Sequence, residues 1–233
     1  TDEGVVFVYN GSSTGIITTP SAMLESNQAL AHFGREVKSA GDVNGDGYSD
    51  VIVGAADYDN GQLNEGAAYI SHGSAAGIIT APAIILESNQ SNSGYGLSVD
   101  GAGDVNGDGY SDVIVGALQY SNIITDQGAA FIYYGSASGV NPIAALILYG
   151  DQNGCRFGYQ ASCAGDINAD GYSDIVVGAY SYDKGQVNEG AAFVYYGSST
   201  GIISTPVNIL ESNQSNALFG IAAESAGDVN GDG

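Results

Sequence analysis

Short runs of β-branched and aromatic residues alternate with polar stretches rich in Gly, Asn and Asp along the whole chain. Between residues 95 and 148 this pattern predicts four strands, at 95–99, 111–117, 128–135 and 144–148. The run Val113-Ile114-Val115 is apolar at every position, which is typical of a strand covered on both faces. No segment has the 3.6-residue periodicity of an amphipathic helix. The chain is therefore predicted to be all-β.

The sequence repeats itself every 62 residues. The segment from Gly41 to Gly54 returns letter for letter from Gly103, a close copy starts at Gly165, and a fourth begins at Gly227. A long fixed period indicates a repeat architecture, and four strands per unit describe the antiparallel blades of a β-propeller. The prediction is a single propeller segment, 1–233, with the units 1–32 (partial), 33–94, 95–156, 157–218 and 219–233 (partial).

The two ends of the chain fall inside units. The first residues, Glu3 to Tyr9, match Glu189 to Tyr195, so the chain starts at a third strand; it stops within the fourth copy of the repeat. Because a closed propeller needs at least about four blades, we expect an incomplete ring. Further blades from the same or another chain would complete it.

Each copy of the repeated segment begins with a loop, here called an aspartate loop, whose alternate residues carry oxygen. The first aspartate loop supplies Asp42, Asn44, Asp46, the carbonyl oxygen of Tyr48, and Asp50. Alternate residues of a tight loop point inward and surround one cation, and oxygen ligands without His or Cys select Ca²⁺ over zinc or copper. The calcium motif of helix–loop–helix proteins needs Glu at position 12, where this chain has Val53. This loop therefore leads into a strand.

The same ligand types recur in the other copies. The second loop supplies Asp104, Asn106, Asp108, Tyr110 and Asp112. The third supplies Asp166, Asn168, Asp170, Tyr172 and Asp174, with Ala169 in place of a glycine. The fourth supplies only Asp228, Asn230 and Asp232, and we expect it to be weak or empty. The prediction is three complete Ca²⁺ sites and a truncated fourth; the alternative is a set of Asp/Asn/Gly turns that only solvate the chain.

The net charge narrows the range of partners. The chain carries 26 acidic and four basic residues, a formal net charge of −22. This balance excludes nucleic acid and anionic lipid as partners, and no apolar run is long enough for membrane insertion. Because clustered carboxylates repel one another, we expect folding to be coupled to calcium. Sites of modest ligand charge suit the millimolar calcium outside cells, so the expected location is extracellular or at the cell surface.

Two features bear on chemistry. Cys155 and Cys163 lie eight residues apart in one unit, which leaves a local disulfide and two inert thiols as alternatives. Two unmatched histidines and no G-x-S-x-G sequence give hydrolysis little support, so no catalytic residue is assigned and no enzyme is predicted.

Two short elements flank the aspartate loops. The FG element stands at Phe33-Gly34, Tyr95-Gly96, Phe157-Gly158 and Phe219-Gly220, and the GAP element, without its proline, at Gly54-Ala55-Ala56, Gly116-Ala117-Leu118 and Gly178-Ala179-Tyr180. The chain thereby resembles the FG-GAP repeats of integrin α-subunit propellers and their bacterial relatives. This resemblance implies a propeller, usually of about seven blades, with Ca²⁺ between the first and second strands of a blade. It also implies adhesion or ligand recognition, usually from the opposite face, without transferring integrin ligand specificity.

The sequence thus favours an adhesion or ligand-binding module for a protein or glycan. A structural spacer in a large surface protein, and the propeller of a secreted polysaccharide-acting enzyme, are the alternatives. Binding concentrates on loops of rigid scaffolds, and the relevant loops here join second to third strands, at 57–65, 118–127 and 182–189. These are called the hairpin loops. The alternative for 57–65 and 182–189 is an ordinary hairpin turn made by Asn-Gly or Lys-Gly. The loop at 118–127 departs most from its siblings and is the best candidate for specificity.

Overall fold

The computed structural model describes residues 2–227 and 229 of the chain. In this part the backbone forms sixteen β-strands and no helix, so no helix there is long and apolar enough to cross a membrane. The strands are β1 (Val6–Val8), β2 (Gly11–Ser12), β3 (Gly15–Ile16), β4 (Ala22–Leu24), β5 (Phe33–Gly41), β6 (Asp50–Ala55), β7 (Ala67–Ser71), β8 (Ile84–Glu87), β9 (Tyr95–Gly103), β10 (Asp112–Ala117), β11 (Ala129–Tyr133), β12 (Leu146–Tyr149), β13 (Phe157–Gly165), β14 (Asp174–Ala179), β15 (Ala191–Tyr195) and β16 (Asn208–Glu211).

Three four-stranded antiparallel sheets follow one another along the chain. They are β5-β6-β7-β8 (blade 1), β9-β10-β11-β12 (blade 2) and β13-β14-β15-β16 (blade 3). A two-stranded sheet, β1-β4, precedes them and carries the small hairpin β2-β3. Neighbours in the chain are neighbours in each sheet, which is the arrangement of propeller blades. The predicted all-β propeller fold is confirmed.

The first strand of each blade is longer than the pattern predicted. β9 runs to Gly103, past the predicted end at 99, because register shifts at both ends of its pairing with β10 let the chain bend and continue. The strand therefore delivers the backbone directly into the aspartate loop. That loop returns at once into β10, whose first residue is Asp112.

The blades form an arc, as expected for an incomplete ring. Beyond β16 the described residues add no further sheet, and Lys38 Nζ on β5 donates to Glu224 Oε1, in the segment after β16, at 2.8 Å. The two cysteines are free thiols, which decides between the alternatives left by the sequence. Cys155 is buried, and its Sγ–H donates to the carbonyl oxygen of Gln127 at 3.1 Å.

The hydrophobic core lies between blades. One buried cluster joins Val99 of blade 2 to Ile52 and Ile70 of blade 1, and a second joins Ile114 of blade 2 to Ile175 of blade 3. Blade 2 therefore buries one face against blade 1 and the other against blade 3, which accounts for the burial of β10 at every position.

The FG and GAP elements meet across each boundary between blades. A β-carbon on Gly54 would lie 2.0 Å from the carbonyl oxygen of Gly96, and the pairs Gly116–Gly158 and Gly178–Gly220 show the same approach at 2.0 and 1.9 Å. Only glycine permits such backbone contact. The FG aromatic Tyr95 is fully buried and packs edge-to-face on Phe131 at 5.2 Å. The two elements therefore seat one blade on the next.

Candidate metal centre

The aspartate loop between β5 and β6 folds its polar side chains inward. Asp42 accepts backbone N–H groups on both oxygens, from Asp46 at 3.1 Å and from Gly47 at 2.8 Å. Asn44 Oδ1 accepts the same Asp46 N–H at 3.0 Å, and Asn44 Nδ2 donates to Asp46 Oδ2 at 3.0 Å. Asp46 Oδ1 accepts the N–H of Tyr48 at 3.0 Å. The side chains predicted as the first three ligands therefore lie together in one turn.

The second and third loops repeat this arrangement. Asn106 Nδ2 donates to Asp108 Oδ2 at 3.0 Å, and Asp104 Oδ2 accepts the N–H of Gly109 at 2.8 Å. In the third loop the matching bonds join Asn168 to Asp170 at 2.9 Å and Gly171 to Asp166 at 2.8 Å. The structure thus brings positions one, three and five together in all three loops. Asp228, Asn230 and Asp232 of the fourth loop lie outside the described residues.

Ala169 holds the backbone that glycine holds elsewhere. Its φ is 57°, against 71° and 73° for Gly45 and Gly107 at the matching positions. A left-handed conformation costs a non-glycine residue about 1 kcal/mol or more. The third loop keeps its shape despite that cost, because its hydrogen bonds are those of the first two.

The last aspartate of each loop is buried and held by backbone. Asp50 is fully buried; its Oδ2 accepts the N–H of Val43 at 2.9 Å, and its Oδ1 accepts that of Gly73, beyond β7, at 2.8 Å. Asp112 accepts from Val105 and Gly135, and Asp174 from Ile167 and Gly197, in the same way. This second role was not predicted from sequence. Each carboxylate oxygen has a further lone pair. Within residues 2–227 and 229, however, the structure does not group this aspartate with the first two aspartates of its loop as three converging ligands.

The electrostatics of the loops favour a cation. Burial raises the pKa of Asp112 to about 7; the N–H groups of Gly135 and Val105 lower it, and the charges of Asp108 and Asp104 raise it. The pKa of Asp50 and that of Asp174 are likewise raised, first by burial. The buried carboxyl therefore feels the negative charge of the carboxylates in its own loop. A bound cation would relieve that repulsion.

The donor set fits a hard cation. Within residues 2–227 and 229, no three His, Cys, Asp or Glu side chains converge, so each inner set is two carboxylates and one carboxamide. All of these donors are oxygen, the element that Ca²⁺ takes from protein ligands, and no soft ligand competes. The donor chemistry of the loops therefore fits Ca²⁺ better than a structural zinc ion, which takes Cys and His ligands.

Neighbouring aspartate loops are bonded to each other. The backbone of Asp42 accepts the N–H of Ser111 at 3.0 Å, and its own N–H donates to Ser111 Oγ at 3.1 Å. The Tyr110 ring covers Gly45, where a β-carbon would lie 2.6 Å from the ring. The second and third loops are joined through Asp104 and Ser173, at 2.9 Å, and the Tyr172 ring covers Gly107. Tyr48 of the first loop is 43% exposed.

The hairpin loops on the opposite face are shaped by buried side chains. Glu65 is fully buried, and its Oε1 accepts the backbone N–H of Asn60 at 2.5 Å. A glutamine from the preceding unit also clamps each loop: Gln28 exchanges two hydrogen bonds with the backbone of Asp59, at 2.7 and 2.8 Å. Gln90 and Gln152 clamp Ser121 and Asp183 in the same way. These clamps were missed, although glutamine at 28, 90 and 152 recurs with the 62-residue period.

The tips of the hairpin loops are apolar and exposed. Ile123, in the loop predicted to carry specificity, is 93% exposed, and Leu63 and Val187 in its siblings are 62% and 61% exposed. No hydrogen bond of the loop core depends on these side chains. The tips are therefore free to vary without changing how the loops fold.

The sequence matches the FG-GAP repeat family at residues 39–71, 95–133 and 158–195. It is 34% identical over 160 residues to integrin alpha-6 of Gallus gallus, covering 68% of this chain and 14% of that protein. It is 32% identical over 183 residues to integrin alpha-3 of Cricetulus griseus, covering 76% and 17%. Integrin alpha-IIb of Mus musculus is 32% identical over 174 residues, covering 71% and 16%. The chain thus spans less than a fifth of the length of these curated relatives.

Each matched segment contains one aspartate loop and the two strands that follow it. The FG and GAP residues occupy the backbone contacts between blades, where glycine is required by geometry. The chain therefore belongs to the FG-GAP repeat family.

Proposed function

We propose that this chain is a calcium-stabilised propeller module of an extracellular protein, and that its hairpin loops bind a protein or glycan ligand. The calcium ligands in this proposal are the side chains of Asp42, Asn44, Asp46 and Asp50, with the carbonyl oxygen of Tyr48, and the matching residues of the second and third loops. The proposal assigns no catalytic residue. Further blades, from this or another chain, complete the ring.

The observation that carries the calcium proposal is the convergence of oxygen donors in three successive loops. Two carboxylates and one carboxamide meet in each turn, beside a buried aspartate whose pKa is raised. When bound, Ca²⁺ supplies positive charge that offsets the repulsion among these groups. The protein supplies the donors, and the backbone bonds of Asp50, Asp112 and Asp174 fix the loop onto its own blade.

The binding proposal depends on a difference between the contacts made by the loops on the two faces. The aspartate loops contact one another through Ser111 and Ser173, whereas the hairpin loops project exposed apolar tips. Similarity to integrin α-subunits supports recognition by a propeller face. The loop at 118–127 has its own sequence and the most exposed tip, so we place specificity there.

A spacer function is the second candidate. The loops at 57–65 and 182–189 share a buried glutamate and the same backbone bonds, which is what purely structural repetition predicts. Only blade 2 departs from this pattern, with Gln127 at the position of the glutamate. Ligand recognition therefore requires that the distinct loop of blade 2 binds a ligand, whereas a spacer function does not.

Chelation tests the calcium proposal. Thermal unfolding of the full chain is measured in excess Ca²⁺ and in EDTA, and we expect the Tm to fall by many degrees in EDTA, because ligand binding only to the folded state stabilises it. Excess Mg²⁺ serves as the matched control, since it dehydrates reluctantly and demands stricter geometry. An unchanged Tm in EDTA would remove calcium from the proposal.

Loop exchange tests the binding proposal. The probe is a glycan microarray together with a panel of purified extracellular matrix proteins, and the exchanged variant carries the sequence of residues 180–189 in place of residues 118–127. We expect this variant to lose the binding of the native chain. Exchange of residues 57–65 for the sequence of residues 181–189 is the control and should leave binding intact. If the native chain binds no member of either set, the spacer function is favoured. If both variants bind as the native chain does, the ligand does not bind to residues 118–127.

A further inference from the structure

A group of oxygen atoms without hydrogen-bond partners lies in blade 1, on the side of the blade away from its aspartate loop. Glu65 Oε2, Gln62 Oε1 and Tyr69 Oη are buried atoms for which residues 2–227 and 229 offer no partner. Glu65 itself is fully buried. Leaving a buried acceptor unpaired is costly, and an unpaired carboxylate more so. These atoms therefore call for a positively charged or donating species.

Strand geometry places a second carboxylate beside them. Glu87, at the end of β8, pairs directly with Ala67 on β7. Successive side chains of a strand alternate between faces, so Ala67 and Tyr69 of β7 share one face with Glu87, and Glu65 lies two residues before β7 begins. Asn60 contacts both carboxylates: its N–H donates to Glu65 Oε1 at 2.5 Å, and its Nδ2 to Glu87 Oε1 at 2.8 Å. Burial raises the pKa of Glu87, and the charge of Glu65 raises it further.

Blade 3 has the same two carboxylates and also a side-chain cation. Its pair is Glu189 and Glu211, and the residue at the position of Asn60 is Lys184. The N–H of Lys184 donates to Glu189 Oε1 at 2.7 Å, and its ammonium lies 3.4 Å from Glu211 Oε1. The residue at the position of Gln62, Gln186, accepts from Ser215 Oγ at 2.9 Å. The Oε2 atoms of Glu189 and Glu211 remain without a partner among the described residues.

Blade 2 has neither the carboxylates nor the cation. Gln127 and Tyr149 stand in place of the two glutamates, and Asn122 in place of Lys184. Gln127 Oε1 accepts the N–H of Ile124 at 2.8 Å, so the loop closes with a neutral amide. Blade 3 has both the acid pair and the lysine, and blade 2 has neither. Blade 1 is the one that has the acids with a neutral residue at this position.

We propose that blade 1 binds a further Ca²⁺ ion, at a site formed by Glu65, Glu87 and the side-chain oxygen of Gln62. The donors are all oxygen, two of them charged, as a hard cation requires. In blade 3 the ammonium of Lys184 lies beside Glu211, the counterpart of Glu87. Glu87 is half-buried at the outer strand, so the ion reaches the site from the rim of the blade. This site is separate from the aspartate loops and does not depend on the proposed function.

The test counts the Ca²⁺ ions bound per full chain by calorimetric titration, in variants that exchange the residues of the blades. Asn60→Lys supplies the ammonium of blade 3 and is expected to bind one ion fewer than the native chain. Glu87→Gln removes one carboxylate and is expected to show the same loss. Asn122→Lys, in blade 2, is the matched control and should bind as many ions as the native chain. Lys184→Asn creates the blade 1 arrangement in blade 3 and is expected to bind one ion more.

Unchanged stoichiometry in both Asn60→Lys and Glu87→Gln would overturn this site. Asn60 and Glu87 are at least partly exposed, and circular dichroism of each variant verifies that the fold is retained. The outcome is distinguishable from failure of the aspartate loops. If Asn60→Lys abolished all calcium binding, the ion bound by the native chain would occupy the blade 1 site. The aspartate loops would then be shown not to bind calcium.

Discussion

The two loop-bearing faces of the blades repeat with the same period but not with the same fidelity. The aspartate loops at 41–50 and 103–112 are identical, while the hairpin loops at 57–65 and 118–127 differ at most positions. The structure gives the reason. An aspartate loop is bonded to its own blade through Asp112 or its equivalents and to the next loop through Ser111, whereas a hairpin tip such as Ile123 contacts little.

This difference teaches which changes each face tolerates. In the aspartate loops the side chains of Ser111 and Asp112 reach beyond their own turn, so a substitution there disturbs two places at once. In the hairpin loops the backbone is held by a buried glutamate or glutamine and by the glutamine clamp from the preceding unit. The side chains at the tip take no part in these contacts. The variable surface is thus mounted on a constant base.

The largest effect is expected where a buried aspartate holds two backbone groups. Asp112→Ala leaves the buried N–H groups of Val105 and Gly135 without an acceptor, at about 1–3 kcal/mol each, in addition to the loss of a calcium ligand. The free energy of unfolding, measured with urea in EDTA, should fall by about 2–6 kcal/mol. Ile123→Ser, on the other face, is the control and should change it by less than about 0.5 kcal/mol. Comparable losses in the two variants would erase the distinction between the faces.

A smaller effect is expected from pH. Burial raises the pKa of Asp112 to about 7, well above its value in an unfolded chain, so the metal-free folded state binds this proton more tightly. That contribution to stability is complete below about pH 4 and is lost as the pH rises through about 7. With calcium the trend reverses, because binding requires deprotonated carboxylates. The measurement is Tm from pH 5 to pH 8, in EDTA and in Ca²⁺.

The variant Asp112→Asn keeps the shape of the side chain and should flatten part of the metal-free profile. A metal-free Tm that rises with pH between 5 and 8 would contradict the assignment of a raised pKa to this carboxyl.

The smallest effect concerns the link between loops. Ser111→Ala removes the hydroxyl that accepts the N–H of Asp42, at a cost of about 1 kcal/mol, while the backbone bond between the same residues remains. We expect a slightly lower Tm and weaker Ca²⁺ binding in the first loop, measured by calorimetry. Ser49→Ala is the matched control, since its hydroxyl makes no hydrogen bond within residues 2–227 and 229. Equal affinities in the two variants would mean that the loops act independently.

The sequence alone was sufficient for the architecture because the evidence for it is periodic. Ligand types at 42, 44 and 46 recur with the strands that follow them, so the fold class, the strand order and the first three residues of each loop could all be read from spacing. Periodicity says which residues are equivalent. It does not say what each one touches.

The missed features are contacts between segments distant in sequence. Asp50 was assigned to the metal from its place in the loop, but its bond to Gly73 depends on where the chain leaves β7. The clamp of Gln28 on Asp59 spans 31 residues and crosses a blade boundary. Such partners follow from packing, since only the folded arrangement brings the two backbones within hydrogen-bond distance.

The glycine contacts at the blade boundaries determine how closely neighbouring blades approach each other. Gly54 has no room for even one methyl group against the carbonyl of Gly96, so the angle between two blades is defined by bare backbone. A methyl group there would push the two blades apart and change the angle between them. The geometry of each boundary between blades is therefore governed by the smallest residues in the chain.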